Sequence, residues 1–385
     1  MGRLPFAMMI VGMLTLISTA RGSIAEAGLA AALAGLGTAA LGPLAGSLAD
    51  RYGQRVVLLV MSGMSILAVA VELALVATDA STLAVVALAF GVGATMPQVA
   101  PFSRSRLAQF AATARSPRRR ARAISLVMSY ESVMDETSFV IGPVLVGLLT
   151  TLIAPWAPLV IGVVITATIV VAFAVHPSAR VVTHAAAHDR GGRLPRRVLL
   201  LALAMLAVGG MFGSILTALT GYMSERNAGE QTGIIYGAMS VGAIAIAIAV
   251  AALPARVTLG RRWLFFAVLA LAGALALALA APLGAVLAGL LLAGAEVGAV
   301  LVTLFSLGNR TAPAGRSTMV MTTLQSSLVV GQALATAVCG VLVEQSGPGA
   351  GYAVTVGLAV VLIALAVVDA LTERRRAGAR RVATA

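Results

Sequence analysis

Two neighbouring stretches of this sequence place acids and arginines inside apolar surroundings. Residues 129–143 read SYESVMDETSFVIGP and hold Glu131, Asp135 and Glu136; residues 99–106 read VAPFSRSR and hold Arg104 and Arg106. Carboxyl groups in an apolar setting can load and release protons, and arginine is the cation that stays charged beside them. Glu131 and Asp135 are one helical turn apart and share a face, which Ser138 and Gly142 continue; Glu136 points about 100° away. Spans four and five run antiparallel, and Arg104 is expected near the depth of Glu131 across the helix pair, with Arg106 close by. The expectation is an Arg104–Glu131 pair that leaves Asp135 or Glu136 to load and release a proton. A purely structural network remains the other reading of the same residues.

A fourth acid, Glu296, lies midway along LLLAGAEVGAVLV. An ionised carboxylate facing lipid at that depth costs at least about 2.5–3.5 kcal/mol. Glu296 is therefore expected to face a central cavity and to bind substrate or proton, or else to be a protonated structural group. Gly294 and Gly298 beside it permit close approach. Glu296, Arg106 and Gln325 are the candidate lining of that cavity. Glu72 sits near the end of its apolar stretch, where snorkelling is a sufficient account.

Elements that span a membrane must position these side chains. Of 385 residues, 60% are hydrophobic and only 11% charged, and the mean hydropathy is +1.01. A soluble domain carries about 25% charged residues. Apolar stretches of roughly 20 residues match helices crossing a hydrocarbon core of roughly 30 Å, without the alternation of a membrane β-barrel. Twelve spans are expected, at 5–21, 24–47, 56–77, 82–105, 123–153 and 157–176, then 197–222, 229–253, 263–281, 283–307, 316–343 and 350–371. The first is read as a retained helix, because Thr19-Ala20-Arg21 is a poor signal-cleavage site.

Cys339 is the single cysteine, and His176, His184 and His188 have no ligand-like company, so no metal or cofactor is expected. Neither a phosphate loop nor a nucleophile elbow nor a HExxH pair is present, so no soluble enzyme chemistry is indicated.

Every basic residue is arginine, and the net charge is +13. The arginines cluster in alternate connections: Arg51 and Arg55; Arg115 and Arg118 to Arg122; Arg180 to Arg197; Arg256, Arg261 and Arg262; Arg310 and Arg316; and Arg374 to Arg381. The opposite connections hold Arg21 and Arg226 with Glu26, Asp79, Glu225, Glu230 and Glu344. That asymmetry places both termini in the cytoplasm and accounts for the basic charge without nucleic acid. Residues 1–176 and 197–371 are read as two six-helix bundles, with 177–196 a linker and 372–385 a basic tail. An internal repeat agrees: ETSFVIGPVLVG at 136–147 aligns with QSSLVVGQALAT at 325–336, pairing Glu136 with Gln325 and Gly142 with Gly331.

Between spans two and three the sequence reads GSLADRYGQR, residues 46–55. This resembles the signature loop of the major facilitator superfamily, G-x-L-A-D-R-x-G-R-[KR]. Gly46, Leu48, Ala49, Asp50, Arg51, Gly53 and Arg55 match, and Gln54 replaces a usual basic residue. The resemblance implies an all-α membrane protein of two six-helix bundles working by alternating access. It also implies that Gly46, Asp50, Arg51, Gly53 and Arg55 form a conformational latch favouring the outward-open state. The segment after span four has no acid to receive Arg51 or Arg55, so Asp50 is expected to use a neighbouring arginine or the positive N-terminal end of span eleven.

SFVIGPVLVG at 138–147 is similar to the G-P-x-x-G-G element of proton-coupled exporters, through Gly142, Pro143 and Gly147. The arginine such exporters carry in span four is here Ala87. Gly28, Ala32, Gly35, Ala39, Gly42 and Gly46 form a small-residue seam on span two, expected to meet Ser327, Gly331 and Ala335 of span eleven. Six of the 15 methionines, Met205, Met211, Met223, Met239, Met319 and Met321, suit an adaptable apolar pocket or plain core filling. The expected function is proton-coupled efflux of small amphipathic molecules by a monomer in a bacterial inner membrane. Proton-coupled uptake of a nutrient is the alternative, and a non-transporting scaffold or sensor the minor one.

Overall fold

In a computed structural model the protein is built from helices, and no strand occurs among the described residues, which are 1–78, 80–114, 116–180, 195–227, 232–251, 257–280 and 282–383. In chain order the helices are α1 Leu4–Arg21, α2 Ile24–Tyr52, α3 Gln54–Ala77, α4 Thr82–Thr95, α5 Val99–Ala112, α6 Pro117–Leu152, α7 Ala157–Ile165, α8 Val171–Val175, α9 Arg196–Ser224, α10 Thr232–Ala251, α11 Leu259–Ala278, α12 Leu283–Thr311, α13 Ser317–Ser346 and α14 Pro348–Ala383. Among the described residues, eleven helical stretches are long and apolar enough to cross a membrane, and a shorter apolar helix covers Ile235–Val250. Asp79, Arg115, His184, His188, Glu230, Arg256 and most of the expected linker lie outside the described residues, as do the side chains of Arg374 to Arg381.

The chain forms two compact units, each drawing on three separate segments. Unit 1 comprises Met1–Thr113, Met134–Gly192 and Ala312–Ser326. Its core is an aliphatic seam of Met9, Met13 and Ile17 from α1, Ala27, Ala30 and Ala34 from α2, Val69 and Val76 from α3, and Val85, Ala89 and Val92 from α4. The helix starts follow local rules: Ser23 Oγ accepts the Glu26 N–H at 3.2 Å, and Arg21 pairs with Glu26 at 2.7 Å, which ties the end of α1 to the start of α2.

Span four, expected as one helix, is broken. Met96 is extended, at φ −61° and ψ 121°, because the residue before Pro97 is pushed out of the helical region. The chain resumes as α5, and Gln98 in the break donates through Nε2 to the Thr38 carbonyl of α2 at 3.0 Å. Span six is also interrupted: a π-helical turn, Thr166–Val170, separates α7 from α8. Span five starts earlier than expected, at Pro117, and Pro143 does not end it.

Unit 2 comprises Ala114–Val133, Arg193–Thr311 and Ser327–Ala385. Within it α12 packs on α10 and α11, and α9 packs on α14. Glycines make the α10–α12 approach close: a Cβ at Gly298 would stand 2.8 Å from the Ala243 carbonyl, and Gly294 lies against the Met239 backbone. At one end Arg197 of α9 forks to Asp369 and Glu373 of α14, both at 2.8 Å.

Candidate functional site

The α2–α3 turn shows why the loop carries its residue types. Gly53 has φ +91° and ψ 143°, a conformation that side chains with a Cβ rarely adopt. The turn sets Asp50, buried at 4% exposure, against the first turn of α13. Its two oxygens accept the backbone N–H of Thr318 at 3.1 Å and of Met319 at 2.7 Å. These are second- and third-position amides of a helix, which have no partner within it. Asp50 thus caps α13 from another helix, and the negative charge sits at the positive helix end. Gly46 gives the room: a Cβ there would stand 2.8 Å from Met319 Cα and 2.9 Å from the Thr318 carbonyl. Arg51 and Arg55 are exposed and make no ion pair among the described residues; Arg51 leans on the ring of Tyr52 at 5.0 Å.

Gln54, where the family pattern has a base, is fully buried. Its Nε2 donates to Ser105 Oγ at 2.6 Å and to Thr318 Oγ1 at 3.0 Å. The cation arrives from α5 instead: Arg106 Nε donates to Gln54 Oε1 at 2.6 Å. Arg106 also donates to the Phe173 carbonyl at 2.8 Å and to Ser178 Oγ at 3.2 Å, with its guanidinium 3.8 Å from the Phe173 ring centre. Arg106 was expected in a substrate cavity; it is instead packed inside unit 1 behind the α2–α3 turn.

The acidic cluster is arranged differently from the expectation. Arg104, 1% exposed, forms a short ion pair with Asp135 and donates to Gln325 Oε1 at 3.1 Å. A second cation joins from the start of α1, where Arg3 Nε lies 3.0 Å from Asp135. Asp135 is therefore an arginine-held group and not the unengaged acid that was expected beside an Arg104–Glu131 pair. Glu131 and Glu136 of the same helix are also buried. Arg3, Gln98, Asp135, Ser138 and Gln325 line a small cavity with Phe6 and Phe139, its free interior roughly one water in size. No methionine lines it; Met205, Met211, Met223, Met239 and Met321 fill the cores.

Two further acids depart from the expectation. Glu296 is 1% exposed, but its carboxyl lies against Gly273 of α11 inside unit 2 and does not line that cavity. Neither oxygen has a hydrogen bond of ordinary geometry among the described residues. Glu72 is wholly buried in unit 1, also without such a bond, so it does not snorkel.

The glycine seams are partly relocated. Gly42 of α2 packs on Ser326 and Gln98, and Gly46 on Thr318, Met319 and Thr322, so this face meets α13 through residues four apart at 318, 322 and 326. Gly331 packs on the Leu206 backbone of α9 instead, because its face of α13 turns into unit 2. Gly142 packs on Ala7 of α1, whereas Gly28, Gly35 and Gly147 have open space where a Cβ would stand. The closest approach of α2 to α4, through Gly37 and Gly93 on the Phe90 and Ala34 carbonyls, was not anticipated.

The family profile described as Major Facilitator Superfamily matches residues 4–336. No curated protein sequence matches the chain. Solved structures with the same fold include the human organic anion transporter MFSD10, at 18% identity, covering 95% of this chain and 98% of that one with a TM-score of 0.69. A bacterial homologue of the iron transporter ferroportin in an outward-facing state matches at 16% identity over 94% of this chain and 98% of its own, with a TM-score of 0.67. The E. coli fucose:proton symporter FucP matches at 16% identity, over 95% and 97%, with a TM-score of 0.64. A profile that spans most of the chain, with the signature turn folded around Gly53 and Asp50, makes this protein a member of the major facilitator superfamily.

Proposed function

We propose that the protein is a proton-coupled exporter of small amphipathic molecules, with twelve spans and both termini in the cytoplasm of a bacterial cell. The observation that carries the reading is the buried cluster of Arg3, Arg104, Asp135 and Gln325 beside a cavity. A carboxylate held by two guanidinium groups is stable while it is charged. Proton binding at Asp135 removes that attraction and frees both arginines, which changes the charge the bundle buries in each state. Substrate leaving and a proton entering then alternate at one place, and the Asp50 cap on α13 opens and closes with them. The Phe6 and Phe139 walls suit an apolar substrate body, and the arginines suit its polar end.

The test is transport in inverted vesicles under an imposed pH gradient, with a panel of dyes and antibiotics. Asp135→Asn should uncouple transport from the gradient while substrate still binds. Gradient-driven transport at the parental level by Asp135→Asn would remove the cluster from the proton path. Substrate accumulation in whole cells expressing the parent protein would overturn export and assign uptake.

A further inference from the structure

The proposed transport cycle uses neither Arg55 nor His176 as a ligand-binding group, yet these two line a depression at the α2–α3 turn together with Tyr52, Gln54 and Val175. The depression holds about 140 Å³, against the roughly 10–15 Å³ that one water needs on the same measure. Among the described residues its wall carries Arg55 and His176 and no acid. Arg55 is exposed and forms no ion pair among the described residues. Arg106 stands behind the wall through Gln54 and Ser178; it is 2% exposed, its Nη2 has no hydrogen-bond partner, and it makes no ion pair among the described residues. His176 Nδ1 accepts the Ser178 backbone N–H at 3.2 Å and lies 2.9 Å from Ser178 Oγ. That places the ring proton on Nε2, which is left as a donor.

A buried arginine with no counter-ion among the described residues, behind an open basic pocket, suits an anionic ligand. The pocket's outer side gives the source. Val56 and Val60, on one face of α3, and Val175 at the end of α8 are all exposed, and exposed apolar helix faces in a membrane protein meet acyl chains. We propose that this depression binds the phosphate of an anionic phospholipid, with Arg55, His176 and Tyr52 on the headgroup and one acyl chain along Val56 and Val60. Basic pockets between helices at a membrane surface commonly take such headgroups. The site adjoins the Asp50 cap through Gln54 and Thr318, so an occupied pocket steadies the turn that positions Asp50.

The experiment is native mass spectrometry of the full chain in detergent, titrated with phosphatidylglycerol, with phosphatidylcholine, and with inorganic phosphate as a competitor. The parent should retain one phosphatidylglycerol in preference to phosphatidylcholine, and millimolar phosphate should not displace it. The double variant Arg55→Gln/His176→Gln changes only exposed side chains and should lower that retention by about tenfold. Arg51→Gln, on the same turn but off the pocket, should change it less than about twofold. Equal losses from Arg51→Gln would reduce the effect to general surface charge and overturn the site. Displacement by inorganic phosphate, or equal retention of the two lipids, would overturn the lipid assignment. None of these readouts involves transport, so the outcome is independent of the proposed direction and coupling.

Discussion

Asp50→Asn is the sharpest perturbation of the α2–α3 turn. Asp50 offers two acceptor oxygens to two amides that α13 cannot satisfy itself. Asparagine keeps the shape but replaces one oxygen by an NH2 group, so one amide faces a donor and the other loses its charged acceptor. A hydrogen bond to a charged group contributes about 1.5–3 kcal/mol, and charge at a partly buried helix end adds up to about 2 kcal/mol. A net loss of about 2–3 kcal/mol is expected, because the remaining neutral bond still contributes. That corresponds to roughly 30- to 150-fold more frequent opening of the first turn of α13. Hydrogen exchange followed by mass spectrometry reads this directly: the peptide containing Thr318 and Met319 should exchange faster by that factor. Peptides from α9 and α14, in the other unit, should be unchanged. Unaltered exchange at Thr318 and Met319 in a folded Asp50→Asn protein would refute the capping argument. Transport in the same variant should fall severely with membrane insertion intact.

The remaining expectations are simpler. Gly53→Val and Gly53→Asn both force a side chain to φ +91° and ψ 143°, outside the left-handed region that asparagine tolerates, and both should lower the unfolding temperature in detergent. Gly46→Ala drives a methyl into the α13 backbone and should cost about 1–3 kcal/mol, whereas Gly35→Ala meets open space and should be neutral or stabilising by up to about 1 kcal/mol. Comparable melting temperatures for these two variants would contradict the packing. Arg104→Ala should reduce stability and transport more than Arg104→Ala/Asp135→Asn, because the single change strips Asp135 of one of its two cations. Gly273→Ala pushes a methyl against the Glu296 carboxyl; thermal unfolding should show the loss, and Gly273→Ala/Glu296→Ala should recover part of it.

The membrane class and the signature turn were legible because composition and a ten-residue loop carry them directly. Asp50's use of the α13 helix end was among the partners the sequence allowed, beside a neighbouring arginine, because the segment after span four has no acid to receive Arg51 or Arg55. The break in span four was visible in Pro97 and Pro101, but hydropathy averages over about 20 residues smooth such punctuation away. The π turn in α7–α8 has no matching signal in TATIV. Periodicity told which residues of α2 and α13 share a face without telling which helix covers it, and that is why Gly331 was set against the wrong neighbour. Arg3 escaped notice because its partner Asp135 is 132 positions away, and counting depth along adjacent helices cannot find a contact from a third one. Glu296 and Glu72 were recognised as costly in lipid, but cost alone does not choose between a cavity and the interior of a bundle.

The division of α13 between two compact units has a consequence for biosynthesis. Unit 1 needs residues 312–326 as well as its first 113, so the ribosome must add 268 residues after Asp50 before Thr318 exists. At about 5–20 residues per second this takes roughly 13–54 s. During that interval Asp50, Gly42 and Gly46 sit in the translocon or the bilayer without the helix that covers them. A carboxyl group and a bare glycine face are then open to lipid, to insertion factors and to membrane proteases. The first six spans expressed without α13 should turn over faster in cells than the full chain, and co-expressing the remaining segment should slow that turnover. The protein's most vulnerable moment therefore falls late in its own synthesis, and it ends only when α13 is inserted.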